Sequence, residues 1–125
     1  MTDIHRILGS ATIALALALL LATVASAVLG TRMSATVRGW TVDGLAIVVE
    51  LLVIVAAALG PLMLAGGSRP ADPLHLVYAV IAALALPLAL AIAMDRGATG
   101  AARDRWLALG TLVLVGVSFR LLQTG

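Results

Sequence analysis

The chain has 125 residues, no cysteine, and a formal net charge of only +2. Apolar residues make up 62% of it and charged residues 11%, against roughly 25% charged in a globular domain, so this is a membrane composition. The missing cysteines exclude disulfides, thiolate metal sites and cysteine catalysis, and the small net charge argues against a nucleic-acid partner.

Four apolar stretches, Ile7–Leu29, Leu45–Ala65, Leu74–Met94 and Trp106–Leu122, fill the chain. Each has the roughly 17–25 residues a helix needs to cross about 30 Å of hydrocarbon. The connecting segments are short and polar, and short connections force neighbouring spans to run antiparallel. The expected fold is therefore all-α: one integral membrane domain over residues 1–125, an up-down-up-down bundle of four transmembrane helices. The spans are expected at about 5–29, 41–65, 73–94 and 105–123.

The first span imitates a signal peptide, with Arg6 before the apolar run and Ala25-Ser26-Ala27 as a small-x-small site. Its apolar run is longer than the about 7–15 residues of a signal sequence, so it is expected to be retained. Ser10, Ala14, Ala18, Ala22 and Ser26 recur at four-residue spacing, a ridge of small side chains that lets a second backbone approach closely.

After the first span come Arg32 and Arg38, then Trp40 at the start of the second. In the alternating topology one surface carries Arg32, Arg38, Arg96, Arg103 and Arg105, and the other carries Arg6, Arg69 and Arg120. This excess places the first surface in the cytoplasm and both termini outside, in a bacterial inner membrane. Trp40 beside Arg38 and Trp106 beside Arg105 then form an interfacial aromatic belt that contacts lipid.

Glu50 is the anomaly of the second span. It lies ten residues past Trp40, about 15 Å along a helix, well inside the hydrocarbon. A charged side chain there costs about 2.5–3.5 kcal/mol, so Glu50 must be protonated, paired or turned to protein. It shares a helical face with Asp43, Ile47, Ile54, Ala57 and Pro61. Two roles suit it: a hydrogen-bonding group that joins helices, or a proton-relay carboxyl with Asp43. The first is favoured because the sequence offers no second buried acid or base.

Asp72-Pro73 opens the third span, the carboxylate accepting from an orphan N–H and Pro losing nothing at the first helical position. Pro61 is expected to bend the second span near its end, and Pro87 to kink the third near its middle. Ala79, Ala83, Pro87 and Ala91 repeat the small-residue spacing of the first span. A faint repeat, a His-led span followed by a Trp-led one, relates the two halves of the chain.

His5 and His75 open the first and third spans, which run parallel, so their imidazoles lie at similar depth. In a square bundle these spans are diagonal partners, and two imidazoles facing across the core can ligate a haem iron from both sides. Arg6 and Arg120 lie at that level, placed to pair with propionates. A zinc site from His5, His75 and Asp72 lacks any supporting local spacing.

Here the chain resembles a known family. Ile4–Gly9 (IHRILG) is similar to the His-Arg segment of a haem A synthase half-bundle, and His75–Val80 (HLVYAV) to the segment with its second haem-ligating histidine. That family builds four-helix units with haem-bearing histidines on alternate helices. The resemblance implies a haem b-binding bundle, with His5 and His75 as ligands, rather than haem A synthase activity, because the chain corresponds to only half of that enzyme. The Asp72-Pro73-x-His75-x-x-Tyr78 opening and the Arg120-x-x-x-Thr124-Gly125 ending are similar to those of small bacterial four-span proteins.

No nucleophile–base pair, phosphate-binding loop or metal-ligand cluster points to an enzyme. Two functions remain, and the sequence favours the first. One is a non-catalytic accessory subunit, lipid-contacting and stabilising, within a larger respiratory or photosynthetic electron-transfer complex or a homo-oligomer. The other is a small b-type cytochrome or haem-handling bundle.

Overall fold

The computed structural model describes residues 2–67 and 72–124; Arg69, counted above for topology, lies outside them. Helix α1 is Thr2–Leu29 and closes in a 3-10 turn over Gly30–Arg32. Helix α2 runs over Ala35–Ala65. It is α-helical at Ala35–Arg38, π-helical at Gly39–Asp43, and α-helical again over Gly44–Ala65. Helix α3 is Leu74–Asp95 and α4 is Gly100–Thr124. All four are long and apolar enough to cross a membrane, and no strand occurs among the described residues. The chain is an all-α membrane bundle.

The connections are shorter than their polar composition suggests. Most of residues 31–43 fold into α2, whose first turn is capped by Ser34: its hydroxyl oxygen accepts the Val37 N–H at 3.2 Å. Likewise α4 begins at Gly100, so Arg103, Asp104 and Arg105 are helical and not in a loop. Gly97 (φ +62°) and Gly100 (φ +54°) supply the left-handed turns that fit this connection into four residues, 96–99. Asp72 opens α3 as its sequence suggests, with Oδ1 accepting the Leu74 N–H at 2.8 Å. Pro61 and Pro87 lie inside α2 and α3, which stay helical through them.

Around the bundle, α1 packs on α2 and α4, and α3 packs on the same two, which leaves α1 and α3 on the diagonal. All four contribute to one core: Ala16 and Leu19, Val49 and Val53, Ala82 and Leu86, Leu107 and Leu114. In lipid such a core gains little from hydrophobic transfer, so close packing and dispersion hold it. The α3–α4 seam is the tightest part. A Cβ on Gly110 would stand 2.6 Å from Ala89 Cβ and 2.8 Å from the Ala85 carbonyl oxygen.

The predicted ridges are rotated from the buried faces. On α1 the buried residues are Thr12, Ile13, Ala16, Leu19, Thr23 and Ser26, while Ser10 and Ala14 face outward. On α3 they are Ala82, Ala85, Leu86, Ala89 and Ala93, while Pro87 and Ala91 are exposed. A strict four-residue repeat drifts around a helix of 3.6 residues per turn, so only part of each ridge meets the core. The core threonine hydroxyls are satisfied within their own helices: Thr12 donates to the Leu8 carbonyl at 2.8 Å, Thr23 to Leu20 at 2.9 Å, and Thr111 to Leu107 at 2.7 Å.

Candidate functional site

The diagonal arrangement brings the two histidines together. The rings of His5 and His75 lie 5.8 Å apart between centroids, inclined at 50°. Neither is fully buried, and His5 Nδ1 is a buried atom with no hydrogen-bond partner among the described residues. Below the rings a slot of about 80 Å³ opens between α1, α2, α3 and α4. Small residues line most of it: Gly9 and Thr12, Ala56, Ala57 and Gly60, Ala79 and Ala82, and Ser118. Leu76 and Leu121 are the bulkiest aliphatic side chains in the lining and set its width.

The guanidinium groups predicted to serve this end lie around it without reaching into it. Arg6 is exposed and pairs with Asp3 at 3.5 Å, and Arg120 donates to Gln123 Oε1 at 3.2 Å. No group of three or more His, Cys, Asp or Glu side chains that could hold a metal ion occurs among the described residues. The zinc set of His5, His75 and Asp72 is therefore not assembled. Asp72 is committed to the α3 N-terminus.

No family model, curated protein or solved structure matches this chain. The geometry of the molecule itself carries the functional argument.

At the opposite end lies a polar cluster that the sequence reading did not anticipate. Asp104, in the first turns of α4, is completely buried. Its Oδ2 accepts a short hydrogen bond from the Ser26 hydroxyl of α1 and lies 3.8 Å from Arg38 Nε of α2. Its Oδ1 stands 3.6 Å from Arg103 Nη1, and Arg103 Nη2 reaches Asp43 Oδ1 at 2.7 Å. Two aspartates and two arginines of α2 and α4, with Ser26 of α1, thus join three helices with the charges balanced. The π-helical turn Gly39–Asp43 separates Arg38 from Asp43 in this network, and such turns recur at positions that a sequence must hold against the regular helix. The expectation that no second buried acid accompanies Glu50 is corrected: Asp104 is that acid. Its Arg-Asp-Arg context imitates a solvated loop, and only its position in line with the core residues Leu107, Thr111 and Leu114 signals burial.

Glu50 does not join this cluster. It sits between α2 and α3 in a groove lined also by Asp43, Leu86, Pro87 and Arg103, and its Oε2 is buried without a hydrogen-bond partner among the described residues. Trp40 is 80% exposed on the outer surface of α2. Trp106 is half-buried, with the Arg96 guanidinium 4.8 Å above its ring, while Arg105 points outward.

Proposed function

We propose that this chain is a small b-type cytochrome of a bacterial cytoplasmic membrane, carrying one haem between His5 and His75. The meeting of these two imidazoles across the bundle diagonal, 5.8 Å apart, is the observation that carries the reading. Two nitrogens bound on opposite sides of one metal at about 2 Å each bring imidazole centroids to about 6 Å. No third His, Cys, Asp or Glu joins the two imidazoles among the described residues, so they would hold a metal already carried by a macrocycle such as a porphyrin. Two imidazole donors, no acid in the lining and small side chains beneath support this reading.

When bound, the haem supplies one-electron redox chemistry. The chain's own part is to ligate it through both imidazoles and to keep the site apolar through Gly9, Ala57, Gly60, Ala79 and Ala82. Arg6 and Arg120 supply positive charge at that level for acidic substituents. The resemblance of Ile4–Gly9 and His75–Val80 to a haem A synthase half-bundle supports the same ligands. The arginines gathered where α1 ends and α4 begins support placing that end in the cytoplasm and the histidine end outside.

A second reading has its own observation. Ser10 and Ala14 face outward from α1, where a partner helix can approach closely, as in an accessory subunit of a larger electron-transfer assembly or a homo-oligomer.

The deciding experiment is a dithionite-reduced minus air-oxidised visible spectrum of the protein purified in mild detergent. The cytochrome reading expects an α-band stoichiometric with the chain, lost in His5→Ala and in His75→Ala. A colourless, folded protein that copurifies with larger membrane subunits refutes it and supports the accessory subunit.

A further inference from the structure

A cleft of about 340 Å³ runs down the lipid-facing side of the α3–α4 seam, lined entirely by apolar residues. Its floor is the close approach of Gly110 to Ala85 and Ala89, and Leu88 and Leu109 stand exposed as its walls. From Ile81 to Ile92 it extends about 16 Å along α3, half of the about 30 Å of hydrocarbon in a bilayer. The cleft therefore has the depth of one leaflet. One end of it is charged. Trp106 closes that end, and the Arg96 guanidinium is held 4.8 Å over the indole ring. Ile81, Ala85, Leu88 and Ile92 recur at helical spacing, and the next turn of the same face brings Asp95 and Arg96. On α4, Arg105 stands one turn before Leu109 in line with the other wall. Asp95, Arg96 and Arg105 are exposed, and none has an ion-pair partner among the described residues. Arg38 and Arg103, at the same end of the bundle, are by contrast engaged by Asp104 and Asp43.

We propose that this cleft binds one anionic glycerophospholipid, phosphatidylglycerol, with an acyl chain against Gly110 and the phosphate on Arg96 and Arg105. A chain entering from one leaflet has the reach of the cleft and needs no polar partner along it. A neighbouring transmembrane helix would run through both leaflets, whereas the cleft ends at mid-membrane. At the head of the chain a phosphate accepts charge-assisted hydrogen bonds from guanidinium groups, and basic positions between transmembrane helices recognise lipid headgroups in this way. Charge balance then chooses the headgroup. Two arginines and one aspartate give the mouth a net charge of +1, which a phosphodiester with no other charge neutralises. A zwitterionic headgroup leaves that excess in place and brings an ammonium group towards two cations. The glycerol of phosphatidylglycerol instead offers hydroxyls that donate to the Asp95 carboxylate.

The test is native mass spectrometry of the full chain in detergent micelles, titrated with dioleoyl-phosphatidylglycerol and, separately, with the ethanolamine and choline lipids of the same chains. One phosphatidylglycerol is expected to bind about tenfold tighter than either zwitterionic lipid, the worth of one charge-assisted hydrogen bond. Arg96→Gln should remove that preference. Arg32→Gln takes the same charge from the turn after α1 and should keep it. Leu88→Trp fills the cleft from its exposed wall and should weaken binding with Arg96 still in place. Arg32, Leu88 and Arg96 are all exposed, so these variants keep the fold. Equal affinity for the three lipids overturns the proposal. So does a preference for the ethanolamine lipid, which assigns the mouth to Asp95 and an ammonium group. Displacement of the lipid by inorganic phosphate, or binding that Leu88→Trp leaves unchanged, reduces the site to a surface anion contact and overturns the cleft. A chain that takes up no lipid but forms a dimer broken by Leu88→Trp gives the cleft to a second copy and overturns it too. None of these readouts depends on haem.

Discussion

Adding one methyl group at Gly110 tests whether the α3–α4 seam holds this bundle together. In Gly110→Ala the new Cβ would lie 2.6 Å from Ala89 Cβ and 2.8 Å from the Ala85 carbonyl oxygen. Carbon atoms rest at about 3.5–4.0 Å, so α3 and α4 must part by about 1 Å. Backbone and Cβ atoms cannot rotate away, and the gap spreads to the neighbouring Ala82 and Ala93 contacts. A gap of that size forfeits about a quarter to a half of each pair's attraction along the seam. Overpacking of this kind costs about 1–3 kcal/mol, and the better helix propensity of Ala returns at most about 1 kcal/mol. The net expectation is a loss of about 1–2 kcal/mol. Gly116→Ala in the same helix is the control: nothing lies within 4 Å of a Cβ there, so it should be neutral or slightly stabilising. Unfolding in mixed micelles with increasing dodecyl sulfate measures both. A Gly110→Ala protein as stable as Gly116→Ala refutes the close approach, whereas partial recovery in Gly110→Ala/Ala89→Gly assigns the Ala89 share of the clash, the Ala85 carbonyl oxygen at 2.8 Å remaining.

Three further outcomes follow from other parts of the molecule. Asp104→Asn removes a fully buried charge; Arg38 and Arg103 stay 26% and 30% exposed and can turn to water, so the loss should be about 2–3 kcal/mol rather than the about 3–5 of a sealed pair. The same unfolding assay checks it, and Arg38→Gln in the Asp104→Asn background should then cost nothing more. Thr23→Val, although at a fully buried position, should change stability by less than about 0.5 kcal/mol, because the Thr23 hydroxyl bonds only a carbonyl of its own helix; a larger loss would mean that this hydroxyl serves another helix. On the cytochrome reading, Ala57→Phe fills the slot beneath the histidines while keeping both imidazoles, and a pyridine haemochrome assay should find haem lost from a protein that still folds.

The fold was legible because its signal is length. Four apolar runs joined by short polar segments leave one topology, and lipid forbids unpaired backbone between them. The diagonal meeting of His5 and His75 was legible for the same reason: position at the head of alternate spans fixes both depth and side. What the sequence concealed was rotation. Ala and Leu occupy every face of these helices, so a repeat of small residues does not say which face is inward, and Ser10, Ala14 and Ala91 turned out to face outward. Asp104 was concealed for a second reason. Between two arginines it has the composition of a surface loop, and its burial depends on Ser26 and Arg38, distant in sequence and brought near by the bundle.

Asp104 and Glu50 meet the cost of drawing an acid into the bundle in opposite ways. Asp104 lies near the membrane boundary and is fully enclosed, yet a hydroxyl and two guanidinium groups from three helices surround it. Its charge is neutralised by the chain itself, so its role is structural and complete. Glu50 lies deeper, where ionisation is more costly, and one of its oxygens has no hydrogen-bond partner among the described residues and lies at a groove between α2 and α3. The contrast separates an acid whose charge the fold itself neutralises from one left facing a groove.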